Sequence, residues 1–258
     1  MATLILILWR PRGIREVWFA ASGAVLTWLT GSVGWNDAVQ LFLETGPVLA
    51  FLAGMLVVGF VADQAGVFAW LALHTARLSG GSGRRLFVGL YAIGVFVTVW
   101  FSLDTTAVIL APIVYNLVRA LGVPALPFVL ATTYVANTAS LLLPVSNLTN
   151  LIAWNRFHIP FWSYASAMAL PAFTAIAINL LLFLWLFRRD IPQRFSLESL
   201  SSITGSAGGG ESSVGVAPAG RPLTGCLVGL AGILMGLALA PFFGWDLWVV
   251  ALAGAVVL

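Results

Sequence analysis

Apolar residues run through this chain in long blocks broken by short polar interruptions, the pattern of a chain that crosses a bilayer repeatedly. Val17 to Thr30, Pro47 to Val61, Tyr164 to Phe187 and Leu223 to Phe243 each read as a span, and Trp245 to Leu258 opens another. Met1 to Leu8 is apolar but too short to cross, and it lacks both the basic start and the small-residue cleavage site of a signal peptide. Asn36 to Glu44 reads as a loop carrying Asp37 and Glu44. Over 62–78 the pattern changes: Val67, Phe68, Trp70, Leu71 and His74 alternate with small and polar residues and Arg77 follows, which predicts an amphipathic helix lying in the membrane interface.

Leu86 to Phe101 and Ala107 to Leu121 are apolar arms of 16 and 15 residues around the polar turn Ser102 to Thr106. As helices each would be about 24 Å long, short of the roughly 20 residues of a full crossing. A re-entrant hairpin over 86–121, with Asp104 near mid-membrane, therefore competes with two ordinary spans. Pro124 and Pro127 open the next helix, and Pro144 stops it, because a proline ring removes a backbone donor and clashes with the turn before it. The apolar pattern resumes at Leu148, so 124–155 reads as one crossing made of two half-helices with an unwound joint; a short loop between two spans is the alternative.

These two places hold the polar side chains that loop surface does not explain. The first cluster is Ser102, Asp104, Thr105 and Thr106; the second is Asn137, Thr138, Ser140, Ser146, Asn147, Thr149 and Asn150. Unpaired dipoles cost several kcal/mol in hydrocarbon, so polar residues at such positions are expected to line a path or a site.

Composition narrows the function classes. The chain has 258 residues, 60% hydrophobic and 8% charged, with a mean hydropathy of +1.02; a soluble globule could not cover itself with that little polar surface. All twelve basic residues are arginines, against nine acids. They sit in short loops instead of one patch, which argues for topology over nucleic-acid binding. Eleven of the twelve fall on one face whether the hairpin is re-entrant or crosses twice, leaving Arg156 opposite, as expected for a multi-pass protein of the cytoplasmic membrane. One cysteine, Cys226, rules out an internal disulfide and a thiolate cluster. Neither a His-Glu-x-x-His zinc pattern nor paired acids for magnesium occurs, so no metal site, cofactor or catalytic set is expected.

Residues 191–222 turn to Ser, Gly, Ala and Pro and read as a flexible cytoplasmic linker. Beyond it, Ala251, Gly254, Ala255 and Val256 echo Ala20, Gly23, Ala24 and Val25, each set following a tryptophan. The echo suggests a first transmembrane repeat over 1–190 and the start of a second, truncated repeat over 223–258.

The stretches Leu103-Asp-Thr-Thr-Ala-Val-Ile-Leu-Ala-Pro-Ile-Val114 and Ala136-Asn-Thr-Ala-Ser-Leu-Leu-Leu-Pro-Val-Ser-Asn-Leu-Thr-Asn150 resemble the arsenical pump membrane protein family, exporters of arsenite and antimonite within the ion transporter superfamily. Trp9 to Gly13, Trp70 to Arg77 and Phe187 to Gln193 carry shorter likenesses, and the resemblance extends over almost the whole chain and about three-fifths of a typical member. It implies an all-α inverted-repeat transporter fold with a re-entrant hairpin and a broken transmembrane helix in each half, substrate lying between the two sets of tips. Carried over, the hairpin tip is Asp104, Thr105 and Thr106, and the joint is Ser146, Asn147, Thr149 and Asn150. Members with Asn-Asp-Gly at the tip and Asp in place of Asn137 differ from this chain, which puts in question which groups carry protons.

Arsenous acid is neutral at pH 7 and presents three hydroxyls, so Thr, Ser and Asn suit it better than charge does. Asp104 is then the candidate proton carrier for exchange of protons against arsenite or antimonite. A sodium/proton antiporter or carboxylate carrier of the same superfamily is the first alternative, since oxygen-rich tips serve sodium as well; an intramembrane enzyme is a remote one. A soluble ATPase partner and a homodimer stay open.

Overall fold

The computed structural model describes residues 2–9, 15–196 and 223–258, all of whose regular structure is helical. The part of the linker expectation that covers 197–222 lies outside the described residues. Two compact units are present, Met1–Pro47 and Val48–Leu258. Five helices of the described residues are long and apolar enough to cross a membrane by length and composition: Trp35–Gln64, Gly83–Trp100, Leu103–Ala120, Phe161–Leu186 and Leu223–Phe243.

In the first unit, α1 (Ala2–Trp9) packs on α2 (Glu16–Leu29). Gly23 makes their approach close, since a Cβ there would lie 2.6 Å from the Thr3 side chain. Helix α3 (Trp35–Gln64) begins earlier than the sequence pattern predicts. Asn36 to Glu44 is its first turns and not a loop, and Pro47 is carried inside it. Asp37 accepts the Gly34 N–H at 3.2 Å, which supplies a local acceptor for a donor at the helix start.

The second unit is built around a hairpin. Helix α4 (Val67–Leu78) follows a left-handed Gly66. It is shorter than the stretch 62–78 read as an interfacial helix, since Ala62, Asp63 and Gln64 belong to α3. Its apolar face, including Phe68, Ala72 and Ala76, is buried. Phe68 stands edge-on to Phe101 at 5.5 Å, while Thr75 lies against Gly89, so α4 runs antiparallel beside α5 (Gly83–Trp100). The hairpin returns as α6 (Leu103–Ala120), whose turn Thr106–Leu110 is widened to π-helix just before Pro112. The ring of Pro112 offers no N–H to the turn behind it, and a wider turn absorbs the misfit. Helix α6 ends at Gly122, where Val123 N–H reaches the Val118 carbonyl at 2.9 Å and Gly122 N–H that of Arg119 at 3.0 Å, a Schellman stop.

The predicted break follows. Helix α7 (Ala125–Ala139) ends before Pro144, a single 3₁₀ turn covers Pro144–Ser146, and α8 (Leu148–Phe157) resumes. Helix α7 packs on both hairpin arms and on α9 (Phe161–Leu186). Gly94 permits the α5–α7 contact, a Cβ there meeting Val135 at 2.7 Å. Residues 191–196, the described start of the linker stretch, are held against the hairpin's entrance: Phe195 N–H donates to the Gly81 carbonyl at 2.8 Å and Ile191 is buried. Helices α10 (Leu223–Phe243) and α11 (Leu247–Val257) pair through Gly254, where a Cβ would lie 2.7 Å from Ile233.

The hairpin arms are 18 residues each, about 27 Å as helices. They are longer than the 16 and 15 residues expected, because the helices run on through Gly83–Arg85 at one end and Leu103–Thr106 at the other. Length alone therefore no longer separates a re-entrant hairpin from two crossings.

Candidate functional site

The hairpin turns at Ser102, whose φ of +151° and ψ of 166° lie where glycine is the usual occupant. Hydroxyls hold this conformation in place. The Ser102 Oγ accepts the Thr105 N–H at 3.2 Å and lies 3.2 Å from Thr105 Oγ1. Thr106 Oγ1 donates to the Ser102 carbonyl at 3.3 Å and lies 2.8 Å from Thr98 Oγ1, which itself reaches the Gly94 carbonyl at 2.7 Å. Thr98, Ser102, Thr105 and Thr106 are all buried. Thr105 also packs on α3, where a Cβ on Gly59 would stand 3.3 Å from its Oγ1.

The joint is satisfied in the same way. Breaking a helix frees carbonyls that must find donors. Asn150 Nδ2 donates to the Ser140 carbonyl at 2.8 Å, and Tyr164 reaches the Leu141 carbonyl at 3.4 Å. Asn147 caps α8, its Oδ1 accepting the Thr149 N–H at 3.0 Å. Ser146, fully buried, donates to the Val99 carbonyl at 2.7 Å. That carbonyl belongs to the last turn of α5, where no backbone N–H among the described residues takes it up: those of Phe101 and Ser102 both turn to Val97. One hydroxyl thus ties the joint of the broken helix to the end of the hairpin arm.

Asp104 is placed differently from its neighbours. It is exposed on the first turn of α6 and makes no hydrogen bond with any described residue. The capping role open to a carboxylate at that helix start is filled by Ser102 instead. The remaining predicted residues divide likewise. Ser140 is buried and donates to the Asn137 carbonyl at 2.9 Å. Thr138 is half-buried and reaches the Tyr134 carbonyl at 3.2 Å, and Asn137 is exposed with its Nδ2 3.4 Å from the Thr133 carbonyl. Thr149 is exposed, while Asn147 and Asn150 are half-buried.

The structure therefore brings together Thr98, Ser102, Thr105 and Thr106 as one hydroxyl network and fastens Ser146 to it through the end of α5. Asp104 forms no bond to the joint, and Asp104, Asn137 and Thr149 present polar atoms outward. Thr98 and Asn179 escaped sequence reasoning; Asn179 Oδ1 lies 3.1 Å from the Tyr91 hydroxyl, which also donates to the Ile176 carbonyl at 3.0 Å. Each is a lone polar residue in an apolar run, the same signal that singled out the others. Among the described residues no three His, Cys, Asp or Glu side chains gather as metal ligands would.

The family profile described as arsenical pump membrane protein matches residues 1–205. An arsenical pump membrane protein of Escherichia coli strain K12 is 36% identical over 203 residues, 78% of this chain and 47% of that protein. A putative arsenical pump membrane protein of Bacillus subtilis is 29% identical over 204 residues, 75% of this chain and 46% of the relative. A silicon efflux transporter of rice is 32% identical over 146 residues, 56% of this chain and 30% of its own length. The chain thus spans about half the length of the curated relatives it matches first, less than the three-fifths expected, and the family match stops short of α10 and α11. No solved structure matches it.

Proposed function

The chain belongs to the arsenical pump membrane protein family, and from that premise we propose that the whole protein is a secondary carrier exporting arsenite or antimonite in exchange for protons, with this chain supplying one half of the substrate site. The observation that carries the reading is the Ser146–Val99 bond, which holds the unwound joint of a broken helix against the tip of a polar hairpin. Two such elements meeting inside an apolar helix bundle are the recurring materials of a carrier's midplane site.

The same bond supports a re-entrant hairpin. Helix α7 has 15 residues and α8 has 10, about 22 and 15 Å of rise. With the tip of the hairpin bound at the joint, α8 continues for about 15 Å beyond it, so the tip stops inside the membrane while the broken helix goes on. The inverted repeat draws support from two helix pairs: α2 meets α1 at Gly23 as α11 meets α10 at Gly254, each glycine being the close-approach residue of the sequence echo. In this reading α10 and α11 open the second repeat.

The division of polar groups assigns roles. Buried hydroxyls at Thr98, Ser102, Thr105, Thr106, Ser140 and Ser146 spend their bonds on backbone and on one another, and so hold the tip and joint in shape. Asp104, Asn137, Asn147 and Thr149 keep polar atoms available to face the other half of the protein. A neutral polyol such as arsenous acid is matched by amide and hydroxyl groups that both donate and accept. Asp104, exposed and without a hydrogen bond among the described residues, is the group this reading assigns to carry the exchanged proton.

Cells carrying the full-length protein should accumulate less arsenite and antimonite than cells without it. Sodium-dependent recovery of cytoplasmic pH with no change in metalloid content would move the assignment to a sodium/proton antiporter built on the same tips.

A further inference from the structure

The face where the hairpin begins carries a second feature that export does not use. The start of α5, the end of α9 and the turn after it enclose a cavity of about 460 Å³ lined by Arg84, Arg188, Gln193, Leu181, Leu184 and Trp185. An adjoining hollow of about 500 Å³ shares Gln193 and adds Arg85, Arg194 and the Gly80–Ser82 backbone. Among the described residues no acid lines either space, and none of these four arginines forms an ion pair. The guanidinium of Arg188 lies over the Trp185 ring at 5.9 Å, which holds it at the cavity. Four cationic groups around two neighbouring spaces call for an anion.

The lower wall states what kind of anion. Leu181 and Trp185 of the cavity, and Leu182 and Leu186 beside them on α9, leave half or more of their surface uncovered, so the cationic mouth opens toward a bare apolar face of α9. Orthophosphate would match the mouth and leave that wall unused. We propose that this cavity binds an anionic phospholipid, with its phosphate between Arg84 and Arg188 and its acyl chains along α9. The arginines lie on the side that the distribution of basic residues assigns to the cytoplasm, where a lipid of the inner leaflet would reach them. The bound lipid would brace α9 against the hairpin's entrance, since Ile191 and Phe195 already pin the same turn to the Gly81 loop. The inference rests on the membrane topology and not on the identity of the cargo.

The test is native mass spectrometry of the purified full-length protein, exposed to phosphatidylglycerol or phosphatidylcholine of equal chain length. The wild type should retain phosphatidylglycerol over phosphatidylcholine by roughly tenfold or more, because the choline cation offsets the phosphate charge that two guanidinium groups would otherwise attract. Arg84→Gln with Arg188→Gln should abolish that preference, whereas Arg119→Gln, whose guanidinium sits on Tyr115 away from the cavity, should keep it. Equal retention of the two lipids by the wild type would overturn the proposal without any variant having to fold. So would an unchanged preference in the double variant, or complete displacement of phosphatidylglycerol by inorganic phosphate, which would mark a free-anion site.

Discussion

Replacing Ser146 by alanine tests whether the joint and the hairpin tip are one unit. The hydroxyl donates at 2.7 Å to a Val99 carbonyl that has no backbone donor, in a fully buried setting. Stranding a buried carbonyl costs about 1–3 kcal/mol, while side-chain hydrogen bonds inside membranes average only about 0.6 kcal/mol because the unfolded chain finds other partners. No backbone N–H among the described residues takes up the Val99 carbonyl at this helix end, so the cost should fall between about 1 and 2 kcal/mol, roughly a five- to thirtyfold shift of the folding equilibrium. Thr133→Ala is the matched control: its hydroxyl also donates to a carbonyl, that of Val129 at 2.9 Å, but from an exposed position within a continuous helix. Its loss should stay within about 0.5 kcal/mol. Denaturant unfolding of the full-length protein in detergent, followed by tryptophan fluorescence, reads both. If Ser146→Ala is no less stable than Thr133→Ala, the bond does not fasten joint to tip and the argument for their shared depth goes with it.

Gly94→Ala should destabilise by about 1–3 kcal/mol, because the added methyl meets Val135 at 2.7 Å in a buried contact; a thermal melt at wild-type temperature would contradict the packing of α5 on α7. Asp104→Asn should fold with a stability change within about 0.5 kcal/mol, since the carboxylate is exposed and unbonded, yet lose proton-driven metalloid accumulation in vesicles; full retention of accumulation would place the proton path elsewhere. Asn147→Leu and Asn150→Leu should both lower export. Both should also lower stability, Asn147→Leu by removing the cap of α8 and Asn150→Leu by stranding the Ser140 carbonyl, outcomes that unfolding of the two purified variants checks.

Much of this architecture was legible from residue order. The apolar blocks marked most of the spans, although Val17 to Thr30, read as one, forms only the 14-residue α2, too short to count among the candidate crossings; Pro144 marked the break, and the polar clusters marked the two places where backbone leaves regular helix. These signals are local: a proline's missing donor and a hydroxyl's need for a partner act within a turn or two. The sequence pattern misjudged Asn36 to Glu44, where Asp37 and Glu44 looked like loop residues but lie on the first turns of α3. Charged residues are tolerated there because side chains at a helix end can extend toward water.

Which of the polar residues hold the structure and which stay available was not legible. Asp104, Thr105 and Thr106 are adjacent in sequence and all polar, yet the turn at Ser102 buries the two threonines and leaves the carboxylate out. That division depends on where Gly59, Thr98 and the Val99 carbonyl stand in space, and Val99 meets Ser146 across 47 positions of chain. Bilayer crossings can be read from composition because lipid imposes the same demand on every span. The pairing of one hydroxyl with one particular carbonyl is a long-range geometric event, decided only when α5, α6 and α7 have packed and no nearer donor remains.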